Sequence, residues 1–204
     1  MPALANPPTP DAAAAVPPVP AEPPRLVGDL AIWLVIGAEL LTFALLFLSF
    51  AVVRWRQPAL FAAGQQTLDL NAGAINTALL VCGSAGVARA VQALRGPAPR
   101  RAAGWLLVAL ACGAGFLVLK SSEYAHQIAA GHDLSTDDFY MFYWLLTGFH
   151  YLHVVAAMVF LLALLPAVLR RGAAAQHAVE TGAAFWHMVD LLWIVLFPLV
   201  YVMR

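Results

Sequence analysis

The longest apolar run of the chain extends from Asp138 to Arg171, and its length limits the possible folds most strongly. A helix of about 20 apolar residues crosses the hydrocarbon core of a bilayer, and this run is longer. Two histidines, His150 and His153, lie near its centre. Polar side chains at that depth require partners, so the run predicts a transmembrane helix whose histidines contact other helices.

The rest of the chain contains four more apolar runs. We predict membrane spans at residues 29–55, 69–94, 102–126, 138–169 and 180–203. The composition agrees, because 62% of the residues are hydrophobic, 11% are charged and the mean hydropathy is +0.80, values far from those of a soluble domain. The predicted fold class is an all-α membrane protein, with a five-helix transmembrane bundle over residues 29–204. The net charge of zero provides no field to attract nucleic acid, so no nucleic-acid partner is expected.

Two features outside the spans bear on the arrangement of the chain. Residues 1–28 contain nine of the 14 prolines, interleaved with alanine, and we expect a disordered Pro/Ala-rich tail because proline interrupts helices. This tail and the connections after the second and fourth spans, with their flanks, carry seven of the 11 Lys and Arg residues, while the opposite side carries four. The positive-inside rule then predicts a cytoplasmic amino terminus and a carboxyl terminus outside.

The first span carries a single carboxylate inside the membrane, Glu39, about ten residues from its start. At ~1.5 Å per residue this position is ~15 Å deep, which is near the middle of the membrane. An ionised carboxylate there costs roughly 2.5–3.5 kcal/mol, so Glu39 is expected to be protonated, paired, or facing water or a lipid headgroup. Two interpretations stay open: a neutral acid that hydrogen-bonds a neighbouring helix, and a functional group linked to protons or lipid.

The last two spans carry four more ionisable side chains deep in the membrane. His150 and His153 are three residues apart and share a helix face, as do His187 and Asp190. A His–Asp hydrogen bond between the two helices would satisfy both groups and fix their register, and we favour this intramembrane polar network. The alternatives are axial ligation of haem, as in membrane cytochromes b, and a proton relay that includes Glu39.

The second and third spans carry one local pattern each. Lys120 and Glu123 follow the apolar part of the third span and lie three residues apart, which predicts an exposed ion pair at the membrane interface. The second span has small residues at every fourth position, which predicts a face for close helix packing. These small residues are Ala74, Ala78, Cys82, Gly86 and Ala90.

Five segments, in order along the chain, carry a family resemblance. They are GAELLTF at residues 37–43, LNAGAINTALLVCGS at 70–84, FLVLKSSEY at 116–124, TGFHYLHV at 147–154 and FWHMVDLLWIVLF at 185–197. Together they resemble subunit III of the haem–copper oxidases, and the likeness covers residues 28–204. Within this family, the chain is most similar to the branch associated with nitric oxide reductases. The similarity rests on the short form of the chain and on the segments KSSEY at residues 120–124 and DDFYMFYWLLTGFHYLHV at residues 137–154. Short third subunits of quinol oxidases and cytochrome c oxidases are the alternative.

The resemblance implies a bundle that packs beside a catalytic, haem-bearing subunit I and other respiratory subunits in the bacterial inner membrane. It implies no cofactor in this chain, with haem and copper or iron in the partner, and a role in binding phospholipid and supporting proton uptake and complex stability. Long members have two additional amino-terminal helices, and we expect only the bundle of five in this chain. The family's membrane carboxylate corresponds to Glu39, and its other polar residues correspond to Glu123, His150, His153, His187 and Asp190.

The predicted function is a non-catalytic subunit of an oxidoreductase complex that reduces either O2 or nitric oxide. No catalytic or metal-binding residue is expected in this chain. The rival interpretation is a freestanding membrane cytochrome b, with His150, His153 and His187 as haem ligands, or a small proton-coupled transporter that uses Glu39.

Overall fold

The structure, a computed structural model, describes residues 29–96 and 98–203. The tail predicted at residues 1–28 lies outside the described residues, as do Pro97 and Arg204. The described part of the chain is helical and contains no strand, in agreement with the predicted all-α class. Its helices are α1 Leu30–Arg56, α2 Pro58–Gln66, α3 Leu70–Leu94, α4 Pro99–Ala129, α5 Asp138–Arg171 and α6 Gln176–Phe197.

Four helical stretches are long and apolar enough to cross a bilayer, judged by length and composition, and the last of them contains both α5 and α6. This last stretch has 65 residues, Asp138–Val202, and would extend about 98 Å, roughly three times the thickness of a hydrocarbon core. The stretch turns back at a short 3-10 helix that starts at Gly172, whose φ of +53° favours glycine. Contacts between the two helices then run in antiparallel order: His150 with Trp193, and Leu164 with Gly182. The predicted five-helix bundle is confirmed.

The segment predicted as a loop at residues 57–68 instead contains α2. Pro58 occupies its first turn, where the missing N–H has no helical partner to lose. Phe61 is fully buried, and its ring centroid lies 5.1 Å from that of Phe50 and 5.7 Å from that of Phe139. Nine residues are too few to cross a membrane, so α2 packs against the end of α1 and the start of α5 through these aromatic rings.

Two helices, α4 and α6, also extend beyond their predicted spans. α4 begins at Pro99 and ends at Ala129, so it exceeds the predicted 102–126 at both ends. α6 begins at Gln176 instead of residue 180, because the 3-10 helix leads directly into it. In both cases the helix continues past the apolar residues, which alone defined the predicted span.

The face of α3 that packs against α4 is only partly the predicted stripe of small residues. Ala74, Ala78 and Cys82 are exposed, whereas Gly86 is buried. The packed face passes instead through Gly83 and Gly86, where an added Cβ atom would lie 2.9 Å from the Trp186 ring and 3.2 Å from a backbone oxygen of α4. The two glycines therefore allow α3, α4 and α6 to approach closely.

Helix α1 packs against the bundle along a narrow seam. Its buried side chains, Ile36, Phe43 and Phe50, are seven residues apart and therefore lie on one face. Exposed apolar side chains such as Leu34 and Leu41 cover the rest of the helix, which suits contact with lipid or another membrane protein. This seam places Glu39 beside α5 and leaves a groove between α1, α3 and α6.

Candidate functional site

Glu39 of α1 pairs with His153 of α5 within the membrane-spanning part of the bundle. Glu39 Oε2 lies 3.1 Å from His153 Nε2, and His153 Nδ1 lies 2.8 Å from the carbonyl oxygen of Phe149. Since a carbonyl only accepts, Nδ1 carries a proton and donates it. The contact at Nε2 then requires one further proton, held either by the acid or by the imidazole. The pair therefore shares a single proton, while the Glu39 side chain remains 27% exposed.

The surroundings of this pair are aromatic. The rings of Phe43 and Phe149 lie with their centroids 5.6 and 4.6 Å from that of His153. The structure thus gives Glu39 the bond to a neighbouring helix that one of the two interpretations expected. The identity of the partner could not be read from the sequence, because it depends on how α1 is rotated against α5.

The predicted hydrogen bond between Asp190 and a histidine of α5 is wrong. Asp190 Oδ2 accepts a hydrogen bond of 2.6 Å from Ser84 Oγ of α3, and His187 Nδ1 lies 3.3 Å from the same hydroxyl oxygen. A hydroxyl that donates to the carboxylate can accept from the imidazole, so Ser84 joins these two residues of α6. Sequence reasoning missed Ser84, although a polar residue beside Gly83 on a closely packed helix face was a usable signal.

His150 is isolated from the other members of the predicted network. It is fully buried, and neither ring nitrogen has a hydrogen-bond partner. Its ring packs between Phe116 and Trp193, with centroid distances of 5.7 and 5.1 Å. Ligation of a haem iron by His150 would require this aromatic packing to open. Within residues 29–96 and 98–203, no three His, Cys, Asp or Glu side chains converge as a set of metal ligands.

Lys120 and Glu123 form the predicted ion pair, but in the interior and not at an exposed interface. Lys120 Nζ lies 2.8 Å from Glu123 Oε1, and the two side chains are 0% and 6% exposed. The same carboxylate oxygen accepts hydrogen bonds of 2.6 Å from the hydroxyls of Tyr143 and Tyr201. The expectation of exposure was wrong because α5 and the short helical segment Pro198–Val202, which follows α6, cover this end of α4.

Aromatic rings complete the enclosure of the ammonium group. Lys120 Nζ donates to the hydroxyls of Tyr143 and Tyr201 and lies 4.8–5.8 Å from four ring centroids. These rings belong to Tyr124, Tyr143, Trp193 and Tyr201. Such cation–π contacts stabilise a desolvated cation, so a charge can persist here without water.

The groove between α1, α3 and α6 has a volume of about 670 Å³. Its walls are mainly apolar, with side chains such as Ile36 and Met188. Two residues of opposite charge, Arg95 and Glu180, lie at the end where α3 finishes and α6 begins, and His187 lies farther along. The groove therefore combines a charged end with an apolar interior. These two parts match the polar headgroup and the apolar tail of an amphipathic ligand.

Comparison with known proteins shows the family that this sequence matches and several relatives to which it is similar. The sequence matches the family described as Cytochrome c oxidase subunit III over residues 29–204. It is 30% identical over 179 residues to quinol oxidase subunit 3 of Bacillus subtilis, covering 85% of this chain and 86% of that protein. It is 31% identical over 173 residues to cytochrome bo(3) ubiquinol oxidase subunit 3 of Pseudomonas aeruginosa, covering 84% and 82%. It is 26% identical over 176 residues to cytochrome c oxidase subunit 3 of Bacillus sp. PS3, covering 85% and 84%.

Proposed function

The chain belongs to the cytochrome c oxidase subunit III family, and we propose on this basis that it serves as the non-catalytic third subunit of a haem–copper oxidase-type respiratory complex. One observation carries the proposal: the family match covers every helix that the structure describes. The chain is a multi-pass protein of a bacterial membrane, because its relatives are bacterial oxidase subunits and its helices are long and apolar.

We place the redox centres in the partner. In this proposal the chain packs against a catalytic subunit I that holds haem and copper or iron, and it carries no cofactor itself. The contacts of the histidines favour this arrangement over a freestanding cytochrome b, because each contact would have to break before the histidine could bind a haem iron. Both ring nitrogens of His153 have partners, Nδ1 of His187 contacts Ser84, and His150 is enclosed by aromatic rings.

We also propose that the groove beside α1 holds a phospholipid. An acyl chain would contact its apolar walls, the lipid phosphate would pair with Arg95, and an ammonium headgroup would suit Glu180. The groove lies within the five-helix bundle, so it does not depend on the extra helix pair of longer family members. Arg95→Ala should reduce the phospholipid that co-purifies with the chain, measured by native mass spectrometry. Arg89→Ala, at an exposed arginine of α3 that does not line the groove, should leave the amount of phospholipid unchanged.

The pair of Glu39 and His153 supports a role in proton uptake. Its single shared proton can reside on either residue, and the 27% exposure of the Glu39 side chain gives it a path to the surface of the bundle. In this proposal the pair exchanges protons with groups of the partner subunit. It requires no redox chemistry within the chain.

The distribution of basic residues supports an orientation. Arg95, Arg100, Arg101, Arg170 and Arg171 lie at the end of α3, the start of α4 and the end of α5, which is one side of the bundle. We propose that this side faces the cytoplasm, with the carboxyl terminus outside. Alkaline phosphatase fused to the carboxyl terminus should then be active, and the same enzyme fused after residue 98 should be inactive.

Purification of the tagged chain from its native membranes tests the main proposal. In mild detergent we expect a large haem-bearing subunit to co-purify, identified by mass spectrometry, and all haem absorbance to leave with that subunit on separation. The identity of the partner would also show whether the complex reduces O2 or nitric oxide, and whether quinol or cytochrome c is the electron donor. Recovery of this chain alone, with a haem spectrum of its own, would refute the proposal.

A further inference from the structure

His187 of α6 has one ring edge inside the bundle and the other in the groove between α1, α3 and α6. Its Nδ1 lies 3.3 Å from Ser84 Oγ, which lies 2.6 Å from Asp190 Oδ2. The residue is nevertheless exposed and lines the groove. Because Nδ1 is turned towards Ser84, the edge that carries Nε2 is the one open to the groove. A polar group on a membrane-spanning helix is costly without a partner, so Nε2 requires a ligand in the groove.

The interior partners of His187 determine what Nε2 offers to a ligand. A net charge within the membrane is costly, so we treat Asp190, Ser84 and His187 together as neutral. Two neutral arrangements give each internal proton an acceptor: a carboxylate with an imidazolium, and a protonated acid that donates to Ser84, which donates to Nδ1. Nε2 carries a proton in both. The remaining arrangement leaves Nε2 bare, but it puts the acid's proton on Asp190 Oδ1, a buried atom without a partner among the described residues.

The depth of this N–H donor matches the ester groups of a phospholipid. Glu180 and His187 are seven residues apart on α6, so they lie on one face and ~10.5 Å apart along the helix axis. In an ethanolamine phospholipid, nine bonds join the amine nitrogen to an ester carbonyl carbon and span roughly 10 Å when extended, at about 1.1–1.2 Å per bond. An amine held by Glu180 therefore brings a carbonyl oxygen to the level of His187.

The surroundings of His187 in the groove are apolar. Ala183, Ala184, Met188 and Leu191 line the groove around it on α6. The other uncharged lining residues that can donate, Trp33 and Gln92, lie nearer the charged end. Trp33 is in the first turn of α1, and Gln92 is eight residues from Ser84 along α3, ~12 Å from the level of His187.

We propose that the groove selects ester-linked diacyl phospholipids, because His187 Nε2 donates a hydrogen bond to an ester carbonyl oxygen of the bound lipid. This inference rests on the proposed binding of phospholipid in the groove and adds the chemical class that the groove accepts. An ether-linked phospholipid has the same headgroup and apolar tails but no carbonyl, so it leaves the Nε2–H group without an acceptor.

Native mass spectrometry of the full chain in dodecyl maltoside tests the selectivity, with an equal mixture of an ester-linked phosphatidylethanolamine and its ether-linked analogue of the same chain length. We expect the unmodified chain to retain about three- to ten-fold more of the ester lipid, which is the effect of one hydrogen bond. His187→Phe keeps a planar ring without a donor and should retain the two lipids equally. His187→Gln, whose amide can donate from a similar position, should restore part of the preference.

His177→Phe is the matched control. His177 is an exposed histidine of the same helix that does not line the groove, so this variant should keep the full preference. Equal retention of both lipids by the unmodified chain would overturn the inference and leave the phospholipid site standing, and this comparison requires no variant to fold. A preference that survives in His187→Phe would overturn it as well. Retention of neither lipid would refute the phospholipid site itself, and this inference with it.

Discussion

The burial of Lys120 predicts that removing either member of its pair with Glu123 destabilises the protein far more than losing a surface ion pair would. Lys120→Met keeps much of the side-chain volume but leaves the carboxylate with only two tyrosine hydroxyls, and Glu123→Gln leaves a buried ammonium without its counter-ion. Breaking a buried pair costs about 3–5 kcal/mol, whereas an exposed pair contributes about 0–1 kcal/mol. We therefore expect each single variant to lose about 3 kcal/mol or more of unfolding free energy.

The double variant, Lys120→Met with Glu123→Gln, separates the charge pair from simple loss of packing. It contains no unpaired charge, so its loss should be smaller than the sum of the two single losses by about 0.5–3 kcal/mol. Unfolding in mixed detergent micelles can be followed by fluorescence, because the Trp193 ring lies 5.8 Å from Lys120 Nζ. Asp138→Asn, at an exposed carboxylate that accepts from a glutamine, is the control and should lose under about 1 kcal/mol. Single-variant losses no larger than the control would refute the buried pair.

Three further predictions follow from the other polar and packing sites. Glu39→Ala should leave assembly of the complex nearly intact but alter proton-linked turnover or its lifetime; wild-type turnover, proton uptake and lifetime would show that Glu39 has no functional role. Asp190→Ala should destabilise the bundle by about 1–3 kcal/mol because it removes the carboxylate that accepts from the Ser84 hydroxyl, whereas the amide of Asp190→Asn can still accept that bond; equal losses of unfolding free energy would contradict the assignment. Gly86→Ala should cost about 1–3 kcal/mol because its new Cβ atom would press on backbone 3.2 Å away. Gly104→Ala is the control and should be neutral or stabilising, because no atom lies within 4 Å of its new Cβ. Thermal unfolding of the two variants measures the difference. Equal unfolding temperatures for Gly86→Ala and Gly104→Ala would contradict the close approach of α3 and α4 at Gly86.

Several features were predictable from the sequence because they depend on neighbours along one helix. The spans followed from the length and apolarity of each run, which the membrane fixes at about 20 residues or more. The pairing of Lys120 with Glu123 followed from their spacing of three residues, since any α-helix brings such positions together. The five family segments lie on α1, α3, α4, α5 and α6, and the match to the family confirmed the resemblance that they carried.

Partners across helices were not predictable in the same way. The sequence placed Asp190 and two histidines on facing helices, yet Asp190 bonds Ser84, and Glu39 bonds His153. A helix can rotate about its axis without changing its own hydrogen bonds, so the sequence does not specify which of its faces meets a given neighbour. That rotation depends on the fit of many side chains, including the contacts at Gly83 and Gly86.

Length, hydropathy and short motifs, all of them local, thus determined where the long apolar helices lie and to which family the chain belongs. The tertiary structure alone decided that Lys120 is buried beneath aromatic rings, that α2 packs as a helix, and that a polar cavity opens beside Glu123. The physical reason is that burial is a property of what other segments cover. A side chain at the end of an apolar run is exposed or enclosed according to residues that are distant in sequence, here Tyr143 and Tyr201.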